Sequence, residues 1–244
     1  MSAVPWRDRA LWLGVLCVVM LGGQALGALD FDWQYLEAEG WVYDGIGEVA
    51  HDAAGWPANP YDFWMEAEAV SEPDGEADAE LIGEFLAALP NVTVVELETA
   101  VNLYAYYDDA DAGNEENTAE GYTYFQLAIT VSDMPYAFSL QVEMEEPSND
   151  WSSIVQYDHF VNFNGPDPDG DGEGVLQPGE TYLLWGGVHY EVSSEFSTLD
   201  FGGPWPFTAS ASTDAWLTLE EVPEPGAMAL LALGGIVMRR RRRR

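Results

Sequence analysis

Between Ala10 and Met238 the chain has no lysine and no arginine, yet 42 of its 43 aspartates and glutamates lie in that interval. All eight basic residues sit in the two terminal segments, as Arg7, Arg9 and Arg239 to Arg244. A chain so divided cannot knit its surface with ion pairs except through three histidines, and its compact state repels itself. The fold must rely on counterions that screen or bridge carboxylates, as salt-rich or divalent-rich surroundings provide. Nucleic acid and anionic membrane are poor partners for a surface of this sign, and no nucleic-acid partner is expected. Acidity of this order also suits disorder, but eight tryptophans from Trp33 to Trp216 are spread through the same interval, and that apolar content supports a packed core.

The basic ends have the form of processing signals. After Arg7 and Arg9, Leu11 to Leu21 is an unbroken apolar run, closed by Gly22, Gly23 and Gln24. Ala25-Leu26-Gly27 then sets small residues three and one before a cut at Ala28, so residues 1–27 are expected to be a signal peptide. A retained anchor is the alternative, but the run is well short of the ~20 residues that span a bilayer. Cys17, the one cysteine, lies inside this run. The mature chain is therefore expected to have no disulfide, leaving ion binding or a large core to do what cross-links do in many exported domains.

At the other end, Val222-Pro223-Glu224-Pro225 leads into thirteen apolar or small residues, Gly226 to Met238, and then six arginines. As a helix this run is about 20 Å long, against a hydrocarbon core of ~30 Å. It reaches across only if the arginine stems snorkel, with their charges on the cytoplasmic side. The order Pro-Glu-Pro, short apolar helix, basic terminus resembles the PEP-CTERM sorting signal, also labelled ice-binding protein C-terminal domain. The resemblance covers residues 222–244 and implies nothing about ice. It implies recognition by an exosortase-type membrane protease near Val222 to Pro225, a transient membrane anchor, and transfer to the cell surface or extracellular matrix, often in bacteria that make extracellular polysaccharide.

Residues 28–221 between the signals carry a period of two. Val95, Leu97, Thr99, Val101 and Leu103 alternate with Glu96, Glu98, Ala100 and Asn102, the pattern of a half-buried strand. The same rhythm predicts strands over Thr123 to Val131, Tyr136 to Met144, Val155 to Phe163, Tyr182 to Val192 and Phe207 to Leu219, with another over Trp33 to Tyr43. Turn-forming segments separate them, and strands so spaced predict an antiparallel, jelly-roll-like β-sandwich. Leu81, Ile82, Phe85, Leu86 and Leu89 recur at helical spacing behind Glu76, Asp78 and Glu80 and before Pro90, which predicts one short helix.

One loop carries recognisable chemistry. From Asp169 to Glu180, oxygen donors fall at positions one, three, five, nine and twelve, with glycine at six. This resembles an EF-hand-type calcium loop: Asp169, Asp171 and Glu173 as short acidic arms, the Val175 carbonyl, Gln177 at position nine and Glu180 as the closing carboxylate. Starting at Asp167 instead would put Pro178 at position twelve. The competing reading is a solvated hairpin turn. Asp108, Asp109, Asp111, Glu115 and Glu116 are a weaker candidate cation site. Gly45, Gly47 and Ala50 have dinucleotide-loop spacing, but no βαβ unit surrounds them. Pairs of carboxylates carry no weight as catalytic signals in so acidic a chain, and no nucleophile elbow, zinc-protease helix or phosphate loop is present.

These features predict a non-enzymatic structural or adhesive protein, rigidified by calcium at the Asp169 to Glu180 loop. Its processing partners are a signal peptidase and an exosortase-type protease. A carbohydrate-binding module is the alternative, since tryptophans and tyrosines stack on sugars, with extracellular polysaccharide as candidate partner. A secreted glycosidase is the third reading.

Overall fold

The computed structural model describes residues 29–44, 47–71, 75–89, 91–105, 117–145, 154–193 and 207–222. The expected signal peptide, the expected membrane helix with Pro223, Glu224 and Pro225, and the acidic segment from Asp108 to Glu116 lie outside the described residues. Among the described residues no helix is long and apolar enough to cross a membrane.

Alternation of apolar and acidic side chains becomes alternation of inner and outer faces. Five strands form one antiparallel sheet in the order β2 (Gly47–Ala53), β1 (Leu29–Asp44), β6 (Thr118–Val131), β10 (Thr181–Ser193) and β8 (Ile154–Phe163). Six form the other, in the order β3 (Asp62–Ser71), β4 (Gly75–Leu89), β5 (Val92–Ala105), β11 (Phe207–Glu221), β7 (Tyr136–Glu145) and β9 (Glu173–Leu176). The expected sandwich is the observed one. From β5 onward every connection passes from one sheet to the other, as in jelly-roll-like sandwiches. Both ends of this domain leave at one pole: Leu29 is the register partner of Val131, and the Val222 N–H donates to the Pro135 carbonyl at 3.0 Å.

The inner faces meet in a core of Phe125, Leu127, Ile129, Leu184 and Tyr190 from the smaller sheet and Leu81, Leu97, Leu103, Leu217 and Leu219 from the larger, all fully buried. Each such side chain contributes roughly 1.5–3 kcal/mol by leaving water, and together they offset the repulsion of the acidic exterior. Two glycines set the spacing of the layers. Gly40 and Gly121 are register partners across β1 and β6, and a Cβ on Gly40 would lie 2.7 Å from the Ala77 carbonyl oxygen of the opposite sheet.

The helix expected over Leu81 to Leu89 is instead the second half of β4, a correction with an identifiable cause. Ala77, Ala79, Leu81 and Gly83 face inward, while Asp78, Glu80, Ile82 and Glu84 face outward. The run thus satisfies both periods locally, and pairing with β3 on one side and β5 on the other decides between them. The acids that read as a helix N-terminus are simply the solvent side of a strand.

Candidate functional site

The loop between β8 and β9 is organised around Asp167. Its carboxylate accepts hydrogen bonds from the N–H groups of Gly170 at 2.7 Å, Asp171 at 3.2 Å and Gly172 at 2.9 Å. Gly170 and Gly172 reach this arrangement with φ of 72° and 80°, a left-handed backbone that costs glycine nothing. The donors, Gly172 foremost, hold the Asp167 carboxyl below its ordinary value. Asp171 then accepts from the Glu173 N–H at 3.2 Å.

Of the predicted ligands, Asp169 and Asp171 lie on this exposed loop. Glu173 and Val175 belong to β9, paired with Ser139 and Ala137 of β7. Gln177 and Glu180 are in the next turn, where the Gln177 N–H donates to the Tyr182 hydroxyl at 2.9 Å and the Gly179 N–H to the Val131 carbonyl at 2.7 Å. Among the described residues no three histidine, cysteine, aspartate or glutamate side chains gather in an arrangement suited to a metal ion.

A different constellation lies on the outer face of the five-stranded sheet. Because register partners point to the same side, four rows can be read across β1, β6, β10 and β8. They are Tyr35–Gln126–Trp185–Asn162, Glu37–Tyr124–Gly187–Phe160, Glu39–Tyr122–His189–Asp158 and Trp41–Glu120–Glu191. Tyr35 is exposed, and Trp41, Tyr122, Tyr124, Trp185 and His189 are half-buried. The Tyr122 and Tyr124 rings are parallel to within 6° at 6.4 Å, with Tyr35 6.2 Å from Tyr124. At the β2 edge Trp41 stacks on His51 at 5.1 Å.

Carboxylates stand between these rings. His189 donates from Nε2 to Glu120 at 2.8 Å, and that bond raises the imidazole above its ordinary value; burial opposes the rise, and the charges of Glu120, Glu191 and Asp158 add to it. Burial and then the charge of Glu37, with Tyr124 and Glu39, push the Tyr122 hydroxyl up to about 12. From Tyr35 to Trp41 the face extends about 20 Å along the strand at ~3.4 Å per residue.

The outer face of the six-stranded sheet has more carboxylates and fewer rings. Asp62, Glu84 and Glu96 share one row, Glu98, Asp214 and Glu143 another, and Glu66 faces Glu80 as Glu68 faces Asp78. Burial first, then neighbouring carboxylates, pushes Glu98 and Asp214 above their ordinary values; the neighbours are Asp214, Glu80 and Glu96 for the first, and Glu143, Glu145 and Glu96 for the second.

The described chain ends where β11 runs into Val222, with Pro-Glu-Pro, the apolar run and the arginines following in sequence. Residues 221–244 match the family model of the PEP-CTERM protein-sorting motif. The PEP-CTERM motif marks an exported protein sorted by an exosortase, with transient membrane anchoring before delivery to the surface or beyond. No curated protein matches the chain, and no solved structure does.

The rings on the five-stranded sheet were half legible in sequence. Tyr122 and Tyr124 alternate with inward Thr123 and Phe125, which marks them as outward. Their assembly with Tyr35, Trp41 and Trp185 depends on strand pairing, which the period does not reveal.

Proposed function

We propose that the domain between the signals is a non-catalytic adhesive module that the PEP-CTERM motif delivers outside the cell, where the outer face of its five-stranded sheet holds polysaccharide. One observation carries this reading: Tyr35, Trp41, Tyr122 and Tyr124 lie on one face of a sheet with acids and amides interleaved. Sugar rings offer apolar faces to aromatic planes and hydroxyls to carboxylates and amides, and such sites combine apolar surface with a few placed polar groups. Removal of residues 1–27 by signal peptidase and cleavage near Val222 to Pro225 are the processing steps in this reading.

Calcium at the loop between β8 and β10 is part of the same proposal. Its support is donor chemistry: Asp169, Asp171, Glu173, the Val175 carbonyl, Gln177 and Glu180 are hard oxygens of the kind calcium takes. Its role would be to fasten this loop to the sheets.

Affinity electrophoresis of the processed protein through gels containing plant, microbial and amino-sugar polysaccharides tests the adhesive reading. Retardation that Tyr124→Ala removes is expected. No retardation by any polymer would defeat it, and release of reducing ends from a bound polymer would convert it to a glycosidase.

A further inference from the structure

Granting that the outer face of the five-stranded sheet binds polysaccharide, we infer that its ligand is a cationic sugar polymer, one whose units carry free amines. The face is electrostatically one-sided. Glu37, Glu39, Glu120, Asp158 and Glu191 all point from it, and no lysine or arginine exists between Ala10 and Met238 to oppose them. Only histidine can supply positive charge here. His189 pairs with Glu120 at 2.8 Å, and His51 lies 3.9 Å from Glu39 at the β2 edge.

An anionic polymer is repelled from such a surface, and a neutral one would stack on the rings without drawing on the charge of Glu37 and Glu39. A protonated amine meets both requirements at once. Glu37 is directly opposite Tyr124, and Glu39 directly opposite Tyr122, so acid and ring have Cβ atoms roughly 5 Å apart. An ammonium group seated between them is attracted by the carboxylate and by the negative face of the ring together. Burial first raises the hydroxyls of Tyr122 and Tyr124, and the charge of Glu37 adds to the rise at both. Glu120 already has His189 at 2.8 Å and Glu39 has His51 at the longer distance of 3.9 Å, so Glu37 is the foremost amine-binding acid, with Glu39 beside it.

The acidic face of the other sheet supplies the control, since it attracts cations without a comparable row of tyrosines. Binding of the processed protein to three oligosaccharides of equal length would be measured at low and high salt: a fully de-N-acetylated hexosamine oligomer, its N-acetylated counterpart and a glucose oligomer. The de-N-acetylated form is expected to bind about tenfold or more tighter than the other two, a difference of ~1.4 kcal/mol, and to weaken with salt. Glu37→Gln with Glu39→Gln should erase that preference, bringing the affinity for the de-N-acetylated form down to that for the N-acetylated form. Glu98→Gln with Asp214→Asn, on the other sheet, should leave the preference unchanged. Equal or tighter binding of the N-acetylated form overturns the inference while sparing the adhesive reading. A preference lost equally in the Glu98/Asp214 variant also overturns it, by showing attraction to net charge alone. Failure of all three sugars to bind defeats the adhesive reading and the inference together.

Discussion

Asp214→Asn should make this protein more stable, although most substitutions in folded domains do the reverse. Asp214 stands on β11 between Glu98 of β5 and Glu143 of β7, in one row of the outer face of the six-stranded sheet. Opposed like charges on neighbouring strands cost roughly 0.2–1 kcal/mol per pair. Two such pairs, discounted for the water that screens this half-exposed row, give a gain of about 1 kcal/mol. For a domain of this size that corresponds to a melting temperature about 2–4 °C higher. Salt supplies the diagnostic. The Debye length falls from ~10 Å at 0.1 M to ~3 Å at 1 M, so the gain should be largest at low salt and shrink at high salt. The pH dependence has a definite sign. Because folding raises the Asp214 carboxyl, its stabilising contribution is complete below the unfolded value and is lost as pH rises through the folded one. The advantage of the asparagine is therefore present at neutral pH and fades in acid. Thermal unfolding followed by circular dichroism at two salt concentrations and two pH values measures all of this. A variant less stable than its parent at low salt, or a gain indifferent to salt, would refute the reasoning.

Three further outcomes are expected, the first resting on the calcium proposed at the Asp169 to Glu180 loop. In excess calcium the melting temperature should rise beyond a magnesium control, with ~2.7 kcal/mol of added stability at a hundred times the dissociation constant, and Glu180→Ala should remove the rise; an equal response to both ions would leave the loop as a turn. His189 gains its pairing with Glu120 on folding, so its contribution is present below the unfolded imidazole value and lost as pH rises through the folded one. His189→Gln should flatten the stability profile across that window, as urea titrations at successive pH values would show. Leu81→Ala should cost about 2–5 kcal/mol because Leu81 is fully buried on β4. Ile82→Ala, on the outward side, should cost well under half of that in the same denaturation assay.

The strands that announced themselves were those with large apolar residues inside and acids outside, as in β5, where Val95, Leu97, Val101 and Leu103 are all buried. Other strands hid for different physical reasons. The inward residues of β4 include Ala77, Ala79 and Gly83, too small to mark a face against the conspicuous leucines that follow. In β2, an edge strand, nearly every residue is exposed and no alternation exists to be read. The four residues of β9 sit inside the loop that the calcium spacing claimed, and their pairing with β7 is a tertiary fact. The same limit applies to that loop. Spacing favoured Asp169 as its first donor, whereas backbone N–H groups converge on Asp167 because Gly170 and Gly172 turn the chain around it. For the aromatic face, sequence identified the ring-bearing residues but not their company, since Tyr35 and Tyr124 meet only once β1 has paired with β6.

The position of β11 has a mechanical consequence. It is the last strand of the domain, continuous with the sorting motif, yet it lies inside the six-stranded sheet with β5 on one side and β7 on the other. While the motif holds the chain at the membrane, drag on the domain pulls along β11 from Val222. That load is carried lengthwise by two ladders at once, so their hydrogen bonds must fail together rather than peel one by one from an edge. Resistance to such a pull depends on the rate of forced unfolding more than on equilibrium stability, and tethering through an interior strand is the arrangement that keeps that rate low.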